Sequence, residues 1–206
     1  RKDVITWSSL IAAHAQHGYG KEAILIFQEM NKDAVPPDSI TYVSVLSACS
    51  HAGLVDLGRS YFDSMKEDHA IAPNEDHYLC MIDLFGRVGR IVEAEEYLRK
   101  IPGNPGIVAW MTLLSACRIH NNLAIGQHAA EHVLELDPQN DAVYVMLSNI
   151  YSALGKWEDA SRIRKVMGER GVKKLHGSSS IILDGRVHEF SAGDSSHPQI
   201  GEIHVE

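Results

Sequence analysis

Four columns of residues recur together along this chain, at unequal intervals that all four share. Trp7, Tyr42, Tyr78, Trp110 and Tyr144 are separated by 35, 36, 32 and 34 residues. Leu10, Val45, Met81, Leu113 and Leu147 repeat at the same intervals, as do Gly18, Gly53, Gly89, Asn121 and Gly155, and Ala23, Gly58, Ala94, Gly126 and Ala160. Independent columns that share one irregular set of spacings mark a structural unit used five times over.

The unit reads as two helices and a tight turn. In the first copy Trp7, Leu10, Ile11 and His14 fall on one helical face, and Ala23, Ile24, Phe27 and Met30 on a second. Gly18, with Tyr19 and Gly20, ends the first helix, because glycine takes the left-handed conformation without a Cβ penalty. Pro36 and Pro37 close the unit, since proline cannot continue the second helix. The small column at Ala23 and its equivalents predicts that the second helix crosses close to the first. A pair of about 30 residues cannot bury its apolar face alone, so the units must stack into an all-α solenoid with a concave and a convex side.

Composition is ordinary for a folded soluble chain, with 45% hydrophobic and 22% charged residues. No apolar run is long enough for a transmembrane helix, so no membrane role is expected. The chain begins at Arg1-Lys2-Asp3 without an initiator methionine, which reads as the tail of an earlier unit and the chain as a fragment. Cys49, Cys80 and Cys117 form no Cys-x-x-Cys pair and read as small buried hydrophobes. The net charge of −8 argues against strong, sequence-independent phosphate binding. Only residues 141–174 run the other way, at +3, with Lys156, Arg162, Arg164, Lys165, Arg170, Lys173 and Lys174. These form either a solvated helix face with a basic C-terminus favoured by the helix dipole, or a contact for a nucleic-acid backbone or a protein partner.

The units run 4–38, 39–74, 75–106, 107–140 and 141–174, after a remnant at 1–3 and before a tail at 175–206. Unit one resembles the pentatricopeptide repeat (PPR). Lengths of 35, 36 and 32 are similar to the P, L and S variants of the plant PLS subfamily. SACSHAGLVDLG at 47–58 and DLFGRVGRIVEAE at 83–95 resemble its last L and S repeats. Residues 110–140 resemble its first E motif (E1) and 144–174 its second (E2), both close to tetratricopeptide repeats. In the tail, SSSIILDGRVHEFSAGD reads as two short strands about Asp184-Gly185, with Ile181 and Leu183 alternating. Gly193-Asp194-Ser195-Ser196-His197-Pro198-Gln199 resembles the signature of the family's E+ region. Leu175-His176-Gly177-Ser178-Ser179-Ser180 departs from the family's Glu-Pro-Gly-x-Ser-Trp, lacking its proline and tryptophan. The resemblance implies a right-handed superhelical α-solenoid ending in a short β-hairpin-like tail.

No catalytic constellation stands out. A zinc cytidine deaminase, which can follow the E+ region in this family, needs His-x-Glu and a downstream Cys-x-x-Cys. The one His-x-Glu here is His204-Val205-Glu206, with no cysteine after Cys117. The other histidines show no shared ligand spacing, so no metal, no cofactor and no enzymatic activity are expected of this chain.

What the resemblance does imply is base reading by the fifth and last residues of a unit. These are Ser8 and Asp38 in unit one, a hydroxyl and a carboxylate whose combination in the family implies guanine. Unit two offers Val43 and Asn74, and unit three Leu79 with Gly106. Asp3 closes the missing upstream unit. Asp38 after Pro37 is also an ordinary helix-start residue, and Ser8 can simply face solvent. Units four and five carry Met111/Asn140 and Val145/Lys174, which suit protein docking better. The family therefore implies a mitochondrial or chloroplast factor that binds single-stranded RNA and specifies a cytidine-to-uridine editing site. A deaminase would act in cis or in trans, small accessory editing factors would sit at the L unit, and the exposed solenoid ends could pair two copies. The rival reading is a tetratricopeptide-like protein scaffold without RNA.

Overall fold

A computed structural model of the chain describes residues 2–173, 178–183 and 185–191. Its helices come in pairs: α1 (Val4–Gln16) with α2 (Gly20–Lys32), α3 (Ser39–Ala52) with α4 (Val55–Glu67), and α5 (Glu75–Arg87) with α6 (Ile91–Arg99). Two further pairs follow, α7 (Ile107–Ile119) with α8 (Leu123–Leu136) and α9 (Asp141–Ala153) with α10 (Trp157–Glu169). The turn column marks every break within a pair: Gly18, Gly53, Gly89, Asn121 and Gly155 all have positive φ, between 53° and 82°.

The first helices pack on one another as a continuous row, α1 to α3 to α5 to α7 to α9. Each second helix packs on its own first helix, and α2, α4, α6 and α8 also touch the first helix of the next unit. Successive second helices hardly meet, with α6 and α8 the one contacting pair among the described elements. A row in continuous contact on one side and splayed on the other curves toward the contact side. The first helices therefore line the concave face of an α-solenoid.

The small column has a more demanding role than crossing its own partner helix. A Cβ on Gly58 would sit 3.5 Å from Cys49 Cβ and 2.4 Å from Leu84 Cδ2, and one on Gly126 would sit 3.2 Å from Cys117 Cβ and 3.0 Å from Ile150 Cδ1. The column marks where three helices meet, two from one unit and one from the next. Gly20 likewise belongs to the start of α2 and not to the end of α1. A Cβ there would lie 2.6 Å from the Ala48 carbonyl oxygen on α3.

Aromatic packing repeats with the unit. Phe27 meets Tyr42 and Tyr61 edge-on at 5.8 and 5.3 Å, and Phe62 meets Tyr78 and Tyr97 at 5.3 and 5.5 Å. Each such phenylalanine carries one unit's second helix onto the aromatic column of the next, so burial is continuous along the stack. Beyond the helices, β1 (Ser178–Leu183) and β2 (Arg186–Ser191) pair antiparallel, with Leu183 opposite Arg186 across a two-residue loop. Ile181 and Leu183 alternate as strand residues do, yet both are exposed, and neither strand packs on a helix.

Candidate nucleic-acid interface

The last residue of each of units one to four, Asp38, Asn74, Gly106 and Asn140, is the N-cap of the next first helix. Asp38 Oδ1 accepts from the Thr41 amide at 2.8 Å and the Thr41 hydroxyl at 2.7 Å, while Thr41 Oγ1 accepts from the Asp38 amide at 3.2 Å, a capping box. Asp3 Oδ1 likewise accepts from the Thr6 amide and hydroxyl, without the return bond, and Asn74 caps α5 in a full capping box with His77. Ser8 does not face solvent. It is 6% exposed, and its Oγ lies 2.7 Å from Thr41 Oγ1. Thr41 has one hydroxyl proton and gives it to Asp38, so Ser8 is the donor to Thr41 and its lone pairs remain to accept. The relay Ser8–Thr41–Asp38 thus ties residues of two units into a set of acceptors.

Ser8 and Asp38 line one cleft of about 190 Å³ between α1 and α3, together with Ile5, Ser9, Ala12, Ile40 and Ser44, while Thr41 joins them from beneath, fully buried. Ile5 is 71% exposed and Ile40 68%, a wasteful place for branched aliphatics unless something flat lies against them. Sequence reasoning missed this pair. The signal was available, because Ile5, Ile40 and Val108 hold the second place of units one, two and four. Unit three has Asp76 there, so the seam below Val43, which is half-buried, lacks a second aliphatic wall.

Val43, Asn74 and Leu79 are placed on the same face but not joined as Ser8 and Asp38 are. Asn74 is exposed and committed to His77, Leu79 is half-buried, and Val43 offers its carbonyl to the Cys80 thiol at 3.7 Å. A larger cleft of about 450 Å³ continues this face between α5 and α7. Asp83, Arg87, Met111 and Thr112 line it. Asp83 Oδ2 already accepts from the Ser50 hydroxyl at 2.6 Å and from Arg87 Nε at 2.8 Å.

The basic residues of unit five do not form one open patch. Arg162 pairs with Asp159 at 3.0 Å and Lys165 with Glu169 at 3.7 Å. Arg164 donates to Ser148 at 2.8 Å and Arg170 to the Tyr144 hydroxyl at 3.0 Å, both reaching onto α9. Lys156 stands at the cap of α10 and Lys173 beyond its end, both exposed; Lys174 lies outside the described residues. The last turn of α10 holds no basic residue itself, but its C-cap is Arg170 and Lys173 follows, so basic side chains do stand at its C-terminal end. The E+ signature and His204-Val205-Glu206 also lie outside the described residues. Burial pushes each of the Cys49, Cys80 and Cys117 thiols up to about 12, which leaves them as inert packing groups. No described helix is long and apolar enough to cross a membrane.

Comparison with known proteins fits this geometry. The PPR repeat family matches residues 2–51, 40–69 and 76–104, and the E motif family matches residues 120–182. The chain is 49% identical over 204 residues to the pentatricopeptide repeat-containing protein At2g22070 of Arabidopsis thaliana, which covers 99% of this chain and 26% of that protein. The chain belongs to the pentatricopeptide repeat family. Two further Arabidopsis members are 42% and 45% identical: the chloroplastic At3g49170, over 100% of this chain and 24% of its own length, and the mitochondrial At2g03880, over 98% and 32%. The PPR chain thus spans about a quarter to a third of the length of these relatives. Among solved structures, PPR10 in complex with an 18-nt psaJ RNA element superposes with a TM-score of 0.76 at 21% identity, over 84% of this chain and 26% of that one. The PPR domain of Arabidopsis protein-only RNase P 1 in complex with tRNA gives 0.60 at 14%, over 81% and 89%. At those identities the likeness establishes the fold.

Proposed function

We propose that this PPR chain is the C-terminal part of an organellar RNA-editing factor that specifies a cytidine-to-uridine site. In this reading units one to three are P, L and S repeats, 107–140 and 141–174 are the E1 and E2 motifs, and 175–206 begins the E+ region. The observation that carries the reading is the α1/α3 cleft, where two exposed isoleucines from adjacent units flank the hydroxyl and the carboxylate of unit one. A base enters edge-on between Ile5 and Ile40 and meets acceptors. Guanine alone presents two adjacent donors, N1–H and the C2 amine, so it is the base that unit one selects. Asp3 would complete the reader of an upstream unit. Units two and three, with Val43, Asn74 and Leu79, hold the RNA without strong selection.

The match to the E motif, and relatives named as chloroplastic and mitochondrial, support an organellar editing role. Units four and five position a cytidine deaminase supplied in cis beyond Glu206 or in trans, with Lys156, Lys173 and Lys174 as backbone or partner contacts. Small accessory editing factors dock at the L unit, and the exposed end of unit one can pair two copies. The chain itself needs no cofactor and carries no catalysis.

The test is an RNA titration at two salt concentrations, beside a version extended upstream by several repeats. Weak, micromolar binding by the short chain and tight binding by the extended one are expected. Absence of binding by both at low salt overturns the reading. It would favour a tetratricopeptide-like protein scaffold, which the charge of −8 already suits.

A further inference from the structure

The histidines hold one exception to the absence of a shared ligand spacing. His128 and His132 are four residues apart on α8 and so share a helical face. Their Nε2 atoms lie 3.2 Å apart. His128 Nδ1 is 3.4 Å from Glu95 Oε1 on α6, and His132 Nδ1 is 3.2 Å from Glu135 Oε2. Glu95 is 8% exposed, and the same Oε1 is also paired with Arg99 at 2.8 Å. Trp110 on α7 stacks on His132 with centroids 4.1 Å apart and meets His128 edge-on at 5.5 Å, so both rings are held in place.

A carboxylate beside Nδ1 favours the proton on that nitrogen and leaves Nε2 as a bare lone pair. Here both rings have a carboxylate oxygen near Nδ1, and their Nε2 atoms lie within hydrogen-bonding distance of each other. Two bare lone pairs at that distance repel unless a shared proton or a cation answers both. The separation also suits one: donors on adjacent corners of a tetrahedral zinc ion, at about 2.0–2.1 Å from the metal, are roughly 3.3–3.4 Å apart. We propose that His128 and His132 bind a divalent transition-metal ion of zinc's type through their Nε2 atoms, with Glu95 and Glu135 as positioning residues. No third side-chain ligand joins them among the described residues, so water fills the remaining corners. The ion would pin α8 beside Glu95 of α6, at the seam between units three and four, independently of any RNA.

The experiment is a zinc titration of the chain freed of affinity-tag histidines, followed by calorimetry, with copper quenching of Trp110 fluorescence as a second readout. One zinc per chain is expected. His128→Gln and His132→Gln should each weaken binding by at least about 10-fold, and Glu95→Gln by roughly 10-fold. Both histidines sit on the outer half of α8, and the helical circular dichroism of the variants shows that the fold is kept. Undiminished zinc affinity in the double histidine variant overturns the proposal, as does loss confined to one of the single variants. No zinc uptake by the unaltered chain also overturns it, and means that the two rings share a proton instead.

Discussion

Units one to three and units four and five share a backbone plan but differ at the start of the first helix. Asp3/Thr6, Asp38/Thr41 and Asn74/His77 pair a polar cap with a hydrogen-bonding residue three places on. Gly106/Ala109 and Asn140/Val143 hold the same places in the last two units, where the cap side chain makes no capping bond. Asn140 turns back to Asp137 at 3.0 Å instead, and its Oδ1 is buried without a partner. A capping carboxylate that spends one oxygen on the helix, as Asp3 and Asp38 do, has a second oxygen for a ligand, and Asn74 keeps its amide N–H donors. The first three units keep that chemistry and the last two have lost it. On the proposed function, this difference separates the units that read bases from those that dock a protein.

The sharpest way to break the comparison is Asp38→Asn. Asparagine caps as well as aspartate, so stability should hold. If Oδ1 stays on Thr41, an amide donor replaces the free acceptor in the cleft. The N1 atom bears a proton in guanine and a lone pair in adenine, so the preference opposite unit one should move from guanine to adenine by about 10- to 100-fold. Asp83→Asn in the α5/α7 cleft should leave base preference unchanged, because Asp76 stands there where Ile5 does in the α1/α3 cleft, and Val108 has no second aliphatic wall to hold a base. Competition titrations on the upstream-extended protein read both.

Second in size is packing. A Cβ on Gly86 would lie 2.7 Å from Ala116 Cβ, so Gly86→Ala must push α5 and α7 apart. The expected loss is about 2 kcal/mol in chemical denaturation. The equivalent place between α1 and α3 already carries a Cβ, at Ala15, which is buried. A neutral Gly86→Ala would mean that the two seams are equally roomy. Thr41→Val comes third. It removes the acceptor for both Ser8 and the Asp38 amide, and should cost about 1 kcal/mol. It should also blunt the guanine preference, since Ser8 then has no fixed donor role.

The stack itself was legible because the intervals of its columns are those of its helix pairs, and a Gly or Asn at positive φ is visible as a residue type. The cleft was only half legible. Ser8 and Asp38 could be named from a repeat register, but the relay depends on Thr41, which lies 33 residues from Ser8. Ile5 and Ile40 look like any core aliphatics until the stack leaves them bare. The basic cluster was legible only as residue types: its pairs with Asp159 and Glu169 follow from helical spacing, but the reach of Arg164 and Arg170 onto α9 does not. The spacing of His128 and His132 could be read directly, whereas Glu95 reaches them from another helix and could not be foreseen.

The smallest expected effect separates the caps within the first three units. Where Thr6 and Thr41 serve the earlier caps, His77 serves Asn74. Its Nδ1 accepts from the Asn74 amide at 3.1 Å and its Nε2 donates to the Ser39 carbonyl at 3.0 Å. The first bond requires the neutral ring, because a protonated Nδ1 cannot accept, whereas the second is made by either form. Burial lowers the pKa of His77 below its ordinary 6.5, against the opposing pull of the Ser39 carbonyl and the Asp76 charge. The unfolded chain therefore binds the proton first as pH falls, and stability present above about 6.5 is lost through the window below it. His77→Thr keeps a capping hydroxyl, as in the neighbouring units, and removes the titration. Thermal unfolding between pH 7 and pH 5 should show a downward slope in the unaltered chain and a flatter one in this variant. Equal slopes would place the proton on another group and leave the His77 cap no more pH-sensitive than Thr41.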